Sequence, residues 1–100
     1  MIENPPALIP FETLEAVAPS LRVMAHPVRL RLVQILLELD VSVGELAQVA
    51  GVSPRVASQH LASLRAYGVV TSSRRGKEVF YEVAAPEARL LIASLCAHSA

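Results

Sequence analysis

The stretch "SVGELAQVAGVSPRVASQHLASLRAYG", residues 42–68, decides how the chain folds. Ser42 stands three residues before Glu45. At that spacing a serine hydroxyl takes the N–H of the third helical residue, and the glutamate returns to the serine's own N–H. Gly51 is the natural place to leave the helix, because a left-handed residue there costs glycine little. Ser53 and Pro54 then give a second start signal, a capping hydroxyl followed by a proline at the first helical position. This second helix runs to Gly68. Two short helices joined by roughly four residues with a glycine are a helix-turn-helix pattern.

On the second helix, Ala57, Leu61 and Leu64 fall within about 60° of one another and must face a core. Arg55, Gln59, Ala62 and Ala66 then point away from it, with Val56, Ser58 and Ser63 on the shoulders. His60 sits at the boundary, where it packs or touches a phosphate. The outer face is small, polar or cationic and contains no acid. Such a face enters a major groove without steric or electrostatic penalty, where a glutamine amide can pair with adenine and an arginine with guanine. The start of the helix also offers free N–H groups to a phosphate.

Downstream, "VVTSSRRGKEVFYEV" (69–83) is rich in β-branched and aromatic residues, with Gly76 at a turn. It predicts a β-hairpin whose tip carries Arg74, Arg75 and Lys77. "PEARLLIASLCAH" (86–98) starts at a proline and reads as a terminal helix. Between Ala88 and Ala97 only Arg89 and Ser94 are polar, so this helix is expected to be buried on more than one side, with Leu91 at a subunit interface. Upstream, "HPVRLRLVQILLELD" predicts a helix from Pro27, with His26 ending the preceding segment or capping this one. "FETLEAVAPSLRVM" predicts a helix interrupted near Ala18 by Pro19. Phe11 and Phe80 are expected in the core, Tyr67 and Tyr81 at its edge.

Composition bounds the reading. The 100 residues suit one domain. Counted as Ala, Val, Ile, Leu, Met, Phe, Trp, Cys and Gly, apolar residues make up 55% of the chain, above the roughly 45–50% share of ordinary domains. That excess is hard to hide in one small monomer and points to a buried subunit contact. Nine basic and nine acidic residues cancel to a net charge of zero. Yet Leu46 to Lys77 holds five cations (Arg55, Arg65, Arg74, Arg75, Lys77) and no acid, while the flanks are acidic. A field of this kind presents one face to a polyanion. The N-terminus lacks a basic region followed by a long apolar run, no stretch approaches a membrane span, and a single cysteine excludes an internal disulfide framework. A cytoplasmic protein is the expectation.

Four segments together resemble the ArsR/SmtB family of winged-helix repressors: "HPVRLRLV", "VGELAQVAGVS", "SQHLASLRAYGVV" and "RRGKEVFYEV". The resemblance covers residues 21–83. It implies a mainly α fold with a β-hairpin wing, homodimeric through its first and last helices. It also implies that the helix containing Arg55, Val56, Ser58, Gln59 and His60 reads an operator. With the resemblance, the chain divides into an irregular arm over 1–10 and a winged helix-turn-helix domain over 11–99. Within the domain, the helix-turn-helix covers about 43–67, the wing about 69–83 and a dimerisation helix about 86–98.

Many members of that family respond to metals, so the ligand positions matter. One version of the site uses a Cys-x-Cys-Asp-type run; here the stretch is Ser42-Val43-Gly44-Glu45, with both thiols absent. Another uses the terminal helix. There Glu87 and His98 fill two positions and Ala85 a third. Glu87 and His98 lie about 16 Å apart along the helix axis and cannot meet within one chain; two antiparallel copies would supply two ligands, where structural zinc normally takes four. No metal and no cofactor are therefore expected. Cys96 reads as a small buried hydrophobe, since a redox switch usually needs a resolving thiol that only a second copy could bring.

Enzymatic pairs fail on geometry. Ser58 with His60, and Cys96 with His98, are two residues apart on helices and diverge by about 200°. The reading is a dimeric DNA-binding transcriptional regulator, a repressor on a palindromic operator, with double-stranded DNA and a second copy as partners and an inducer the sequence does not name. Its DNA-binding residues are Arg55, Val56, Ser58, Gln59, His60, Ser63, Arg74, Arg75 and Lys77. The alternatives are a metal- or redox-responsive member of the same family and a winged-helix module that docks an acidic protein.

Overall fold

The computed structural model describes residues 2–99. The elements run α1 (Phe11–Met24), α2 (Pro27–Glu38), α3 (Val43–Ala50), α4 (Pro54–Ala66), β1 (Val70–Arg75), β2 (Glu78–Val83) and α5 (Pro86–Ser99). Residues 2–10 carry no helix or strand and are exposed.

Each boundary has a local cause. His26 caps α2, its Nδ1 accepting from the Val28 N–H at 3.1 Å, with Pro27 at the first helical position. Ser42 and Glu45 close both halves of a capping box at the start of α3. Gly51 ends α3 in the left-handed region at φ 74°. Ser53 Oγ accepts from the Val56 N–H at 3.1 Å to open α4.

The expected interruption of the first helix does not occur, because α1 runs unbroken through Pro19. A mid-helix proline forfeits one hydrogen bond, to the carbonyl four residues back. That residue, Glu15, is exposed, so water can take the carbonyl. Just beyond, Ser20 Oγ lies 2.8 Å from the Val17 carbonyl oxygen.

The core gathers Val23 and Met24 of α1, Leu32, Val33 and Ile35 of α2, Leu46 of α3, Ala57, Leu61 and Leu64 of α4, and Ala88 and Ile92 of α5. The α4 triplet is the one its wheel predicts, and each of the three is fully buried. After α4 the chain turns at Gly68 (φ 75°) into the buried pair Val69–Val70. The Val69 N–H donates to the Leu64 carbonyl at 3.0 Å. The Val69 carbonyl accepts from Ala84 at 2.8 Å and from Ala85 at 3.3 Å. The root of the hairpin and the start of α5 are thus tied to the end of α4. The strands pair antiparallel from Val70↔Val83 to Arg75↔Glu78, and an isolated bridge joins Phe80 to Ser42 ahead of α3.

Four side chains depart from expectation. Phe80 is only half-buried and stands outside the core, its ring beneath the Arg75 guanidinium. Phe11 is 72% exposed, because α1 buries residues only at its C-terminal end and its first turn meets nothing in one copy. Tyr67 is 56% exposed at the end of α4. Cys96 is exposed rather than buried, since α5 buries only Ala88 and Ile92. Leu91 is half-buried against the protein's own core, while Leu90 stands 72% exposed. Among the described residues, no helix is long and apolar enough to cross a membrane.

Candidate nucleic-acid interface

The outward face of α4 carries Arg55, Ser58, Gln59, Ala62 and Ala66, all exposed. Val56 and Ser63 are half-buried on its shoulders. Ser63 Oγ donates to the Gln59 carbonyl at 3.3 Å, one turn back on the same helix. No acidic residue lies on α4.

His60 turns inward. Its Nδ1 accepts from Arg29 Nε at 3.1 Å, and its ring centroid lies 4.7 Å from that of His26. Burial holds its pKa below the usual imidazole value, and the neighbouring charges of His26 and Arg29 lower it further. The spacing on α4 left packing and phosphate contact equally open for this residue; its observed partners lie on α2 and at its cap.

The three hairpin cations do not act alike. Gly76 takes φ 63° in the two-residue turn between the strands, where a tight hairpin with glycine first needs a positive φ. Arg74 Nε donates across this turn to the Gly76 carbonyl at 3.3 Å, and Lys77 is exposed at the tip. Arg75 faces the other side of the ribbon. Its guanidinium makes a two-pronged bond to Asp40, at 2.8 and 3.1 Å, in the α2–α3 connection. It also lies 4.0 Å from the centroid of the Phe80 ring. That bond lowers the Asp40 pKa and raises that of Arg75. The sequence reading missed Asp40 as a partner; its only signal was being the sole aspartate. A cleft of about 430 Å³ separates the wing from the HTH, lined by Ser42, Gly44, Pro54, Ser58, Lys77 and Tyr81 among others.

The weak metal and redox candidates meet other groups. Glu87 accepts from Ser20 Oγ at 2.7 Å, and this bond lowers its pKa. It therefore ties α5 to α1. His98 is exposed near the end of α5. Gln34 Nε2 lies 3.9 Å from Cys96 Sγ. Among the described residues no three histidine, cysteine, aspartate or glutamate side chains cluster as metal ligands.

A helix-turn-helix followed at once by a basic hairpin is a winged helix-turn-helix. A family model described as a helix-turn-helix domain matches residues 24–73. The HTH-type transcriptional repressor SmtB of Mycobacterium tuberculosis is 39% identical over 94 residues, covering 94% of this chain and 70% of that protein. The crystal structure of the transcriptional repressor BigR from Xylella fastidiosa is similar at TM-score 0.76 and 39% identity, covering 85% of this chain and 87% of that one. The homodimeric winged helix-turn-helix DNA-binding domain Mb0332 from Mycobacterium bovis, described as a possible ArsR-family transcriptional regulator, is similar at TM-score 0.75 and 25% identity, covering 89% and 82%. The chain belongs to the ArsR/SmtB-type winged helix-turn-helix transcriptional regulators. It is a DNA-binding regulator of transcription and not an enzyme.

Proposed function

We propose that the protein represses transcription as a homodimer that sets two α4 helices into successive major grooves of a palindromic operator. The observation that carries this reading is the acid-free outer face of α4 beside a cationic wing, in a protein whose net charge is zero. Arg55 and Gln59 are the side chains that reach base edges, with Val56 and Ser58 beside them. Arg74 and Lys77 meet phosphates. Arg75 supports the wing through Asp40, Ser63 contributes from the shoulder of the helix, and His60 braces α4 from behind through Arg29. Two half-sites would lie about 34 Å apart.

The dimer is supported by what one copy leaves uncovered. Leu8, Ile9, Phe11, Leu14 and Leu21 on the arm and α1, and Leu90 and Leu95 on α5, are all exposed. The radius of gyration is 16.0 Å, against about 13 Å for a compact domain of this length. A projecting, greasy α1 is what a two-fold mate would cover. The relatives named as repressors set the direction of regulation, and such a dimer works in the cytoplasm where its operators are. An inducer would act by altering how the two α4 helices are spaced.

Selection of genomic fragments by the purified protein, followed by sequencing, tests this reading. Recovery of an imperfect palindrome is expected. Failure to retain any duplex at modest ionic strength would leave the basic face to an acidic protein partner instead.

A further inference from the structure

A second cleft, of about 360 Å³, lies at the opposite end of α4 from the one beside the wing. Its lining includes Arg22 near the end of α1, Arg29 of α2, and Ser63 and Tyr67 at the end of α4. No carboxylate lines it. Among the described residues the single ion pair is Arg75–Asp40, so neither Arg22 nor Arg29 meets an acid. Arg29 is fixed in place, its Nη1 donating to the Val23 carbonyl and its Nε to His60, both at 3.1 Å. No bond within the described residues uses its Nη2. Two guanidiniums without an acidic partner, one already ordered, beside an exposed phenol offer the donors that a phosphate or carboxylate accepts from.

The cleft's position on the reading helix indicates which anion. Gln59, Ser63 and Tyr67 follow one another at four-residue steps, and Ser63 bonds back to Gln59. From Gln59 to Tyr67 is about 12 Å along the axis, more than the roughly 6 Å from the middle of the major groove to its wall. With Gln59 at the base edges, Tyr67 arrives at the groove wall, where a sugar-phosphate strand runs. We propose that Arg22, Arg29 and Tyr67 hold a backbone phosphate of duplex DNA on the strand facing away from the wing. Each protomer then grips both strands that bound its groove. This rests on the DNA-reading orientation of α4 given above.

The test is the salt dependence of binding to a duplex carrying the selected operator. Replacing Arg22 with Ala should lower the slope of log affinity against log salt by about one for each protomer. It should weaken operator and random duplex by the same factor. Arg22→Lys should restore most of the slope, and Tyr67→Phe should weaken both duplexes without changing it. Arg31→Ala, on the exposed side of α2 away from this cleft, is the control and should leave the slope alone. An unchanged slope in Arg22→Ala overturns the site while leaving the groove-reading helix intact. Equal slope losses in the Arg22 and Arg31 variants would reduce the effect to overall charge and overturn it too. A wild-type protein that binds no duplex removes the groove reading itself, and this site with it.

Discussion

Arg29 and His60 share a single hydrogen bond that exists only while the imidazole is neutral. Arg29 Nε donates to His60 Nδ1 at 3.1 Å, so that nitrogen must keep its lone pair. A proton there would face an N–H of a permanent cation, with the tilted ring of His26 centred 4.7 Å away. Burial, and then the charges of His26 and Arg29, accordingly hold the pKa of His60 down. A histidine whose folded pKa is depressed adds stability that is complete above its unfolded value of about 6.5 and is lost as the pH falls from there through the folded value.

The expected outcome is a urea midpoint that drops between about pH 7.5 and about pH 5.5. His60→Asn, which keeps an acceptor near the same place but cannot titrate, should flatten that drop. Equal drops in both proteins would mean another group titrates in the window.

In the wing, Arg75 is committed to Asp40 and stacked on Phe80, whereas Arg74 and Lys77 border the turn. Charge-to-alanine substitution should therefore rank by geometry. Arg74→Ala and Lys77→Ala should each lower the salt slope of duplex binding, and Arg75→Ala should lower it less. Fluorescence anisotropy across a salt series gives the ranking. A larger effect from Arg75 would show that it leaves Asp40 to meet a phosphate.

Gln59 is exposed in the middle of the outward face of α4. Gln59→Ala should reduce the preference for the selected operator over random duplex by about 1–3 kcal/mol, the range for one bidentate base contact. Competition binding measures this ratio. The same loss on both DNAs would make Gln59 a scaffold residue.

Leu90 is the most exposed side chain of α5 among the large hydrophobics, while Leu91 packs on the protein's own core. Leu90→Asp should convert the dimer to monomers in sedimentation and abolish cooperative operator binding, with the helical circular dichroism signal retained. A variant that sediments as the wild type would move the interface elsewhere.

What was legible in the sequence was local. The Ser42–Glu45 box, Pro27 and Pro54 at helix starts, and the positive φ at Gly51, Gly68 and Gly76 each depend on neighbours within a few positions. The buried triplet of α4 follows from helical periodicity alone. What was not legible bridges distant positions. Arg75 to Asp40 spans 35 residues, Ser20 to Glu87 spans 67, and Arg29 to His60 spans 31. No spacing rule connects such partners, and each changes the role of a charged residue that looked solvated or DNA-facing. Pro19 misled for the opposite reason. Proline propensity is strong, yet one lost hydrogen bond on the wet side of a packed helix is too little to stop it.

Val69 offers its carbonyl to two successive amides, Ala84 and Ala85, just as the chain leaves the hairpin for α5. Displacing the last helix without its neighbour would strand an acceptor sealed from water, at a cost of about 1–3 kcal/mol. The easier course is for the ribbon to swing with it. Mechanical gearing of this kind would let a displacement of α5 reset the pitch of the basic tip, with no relay of side chains between them.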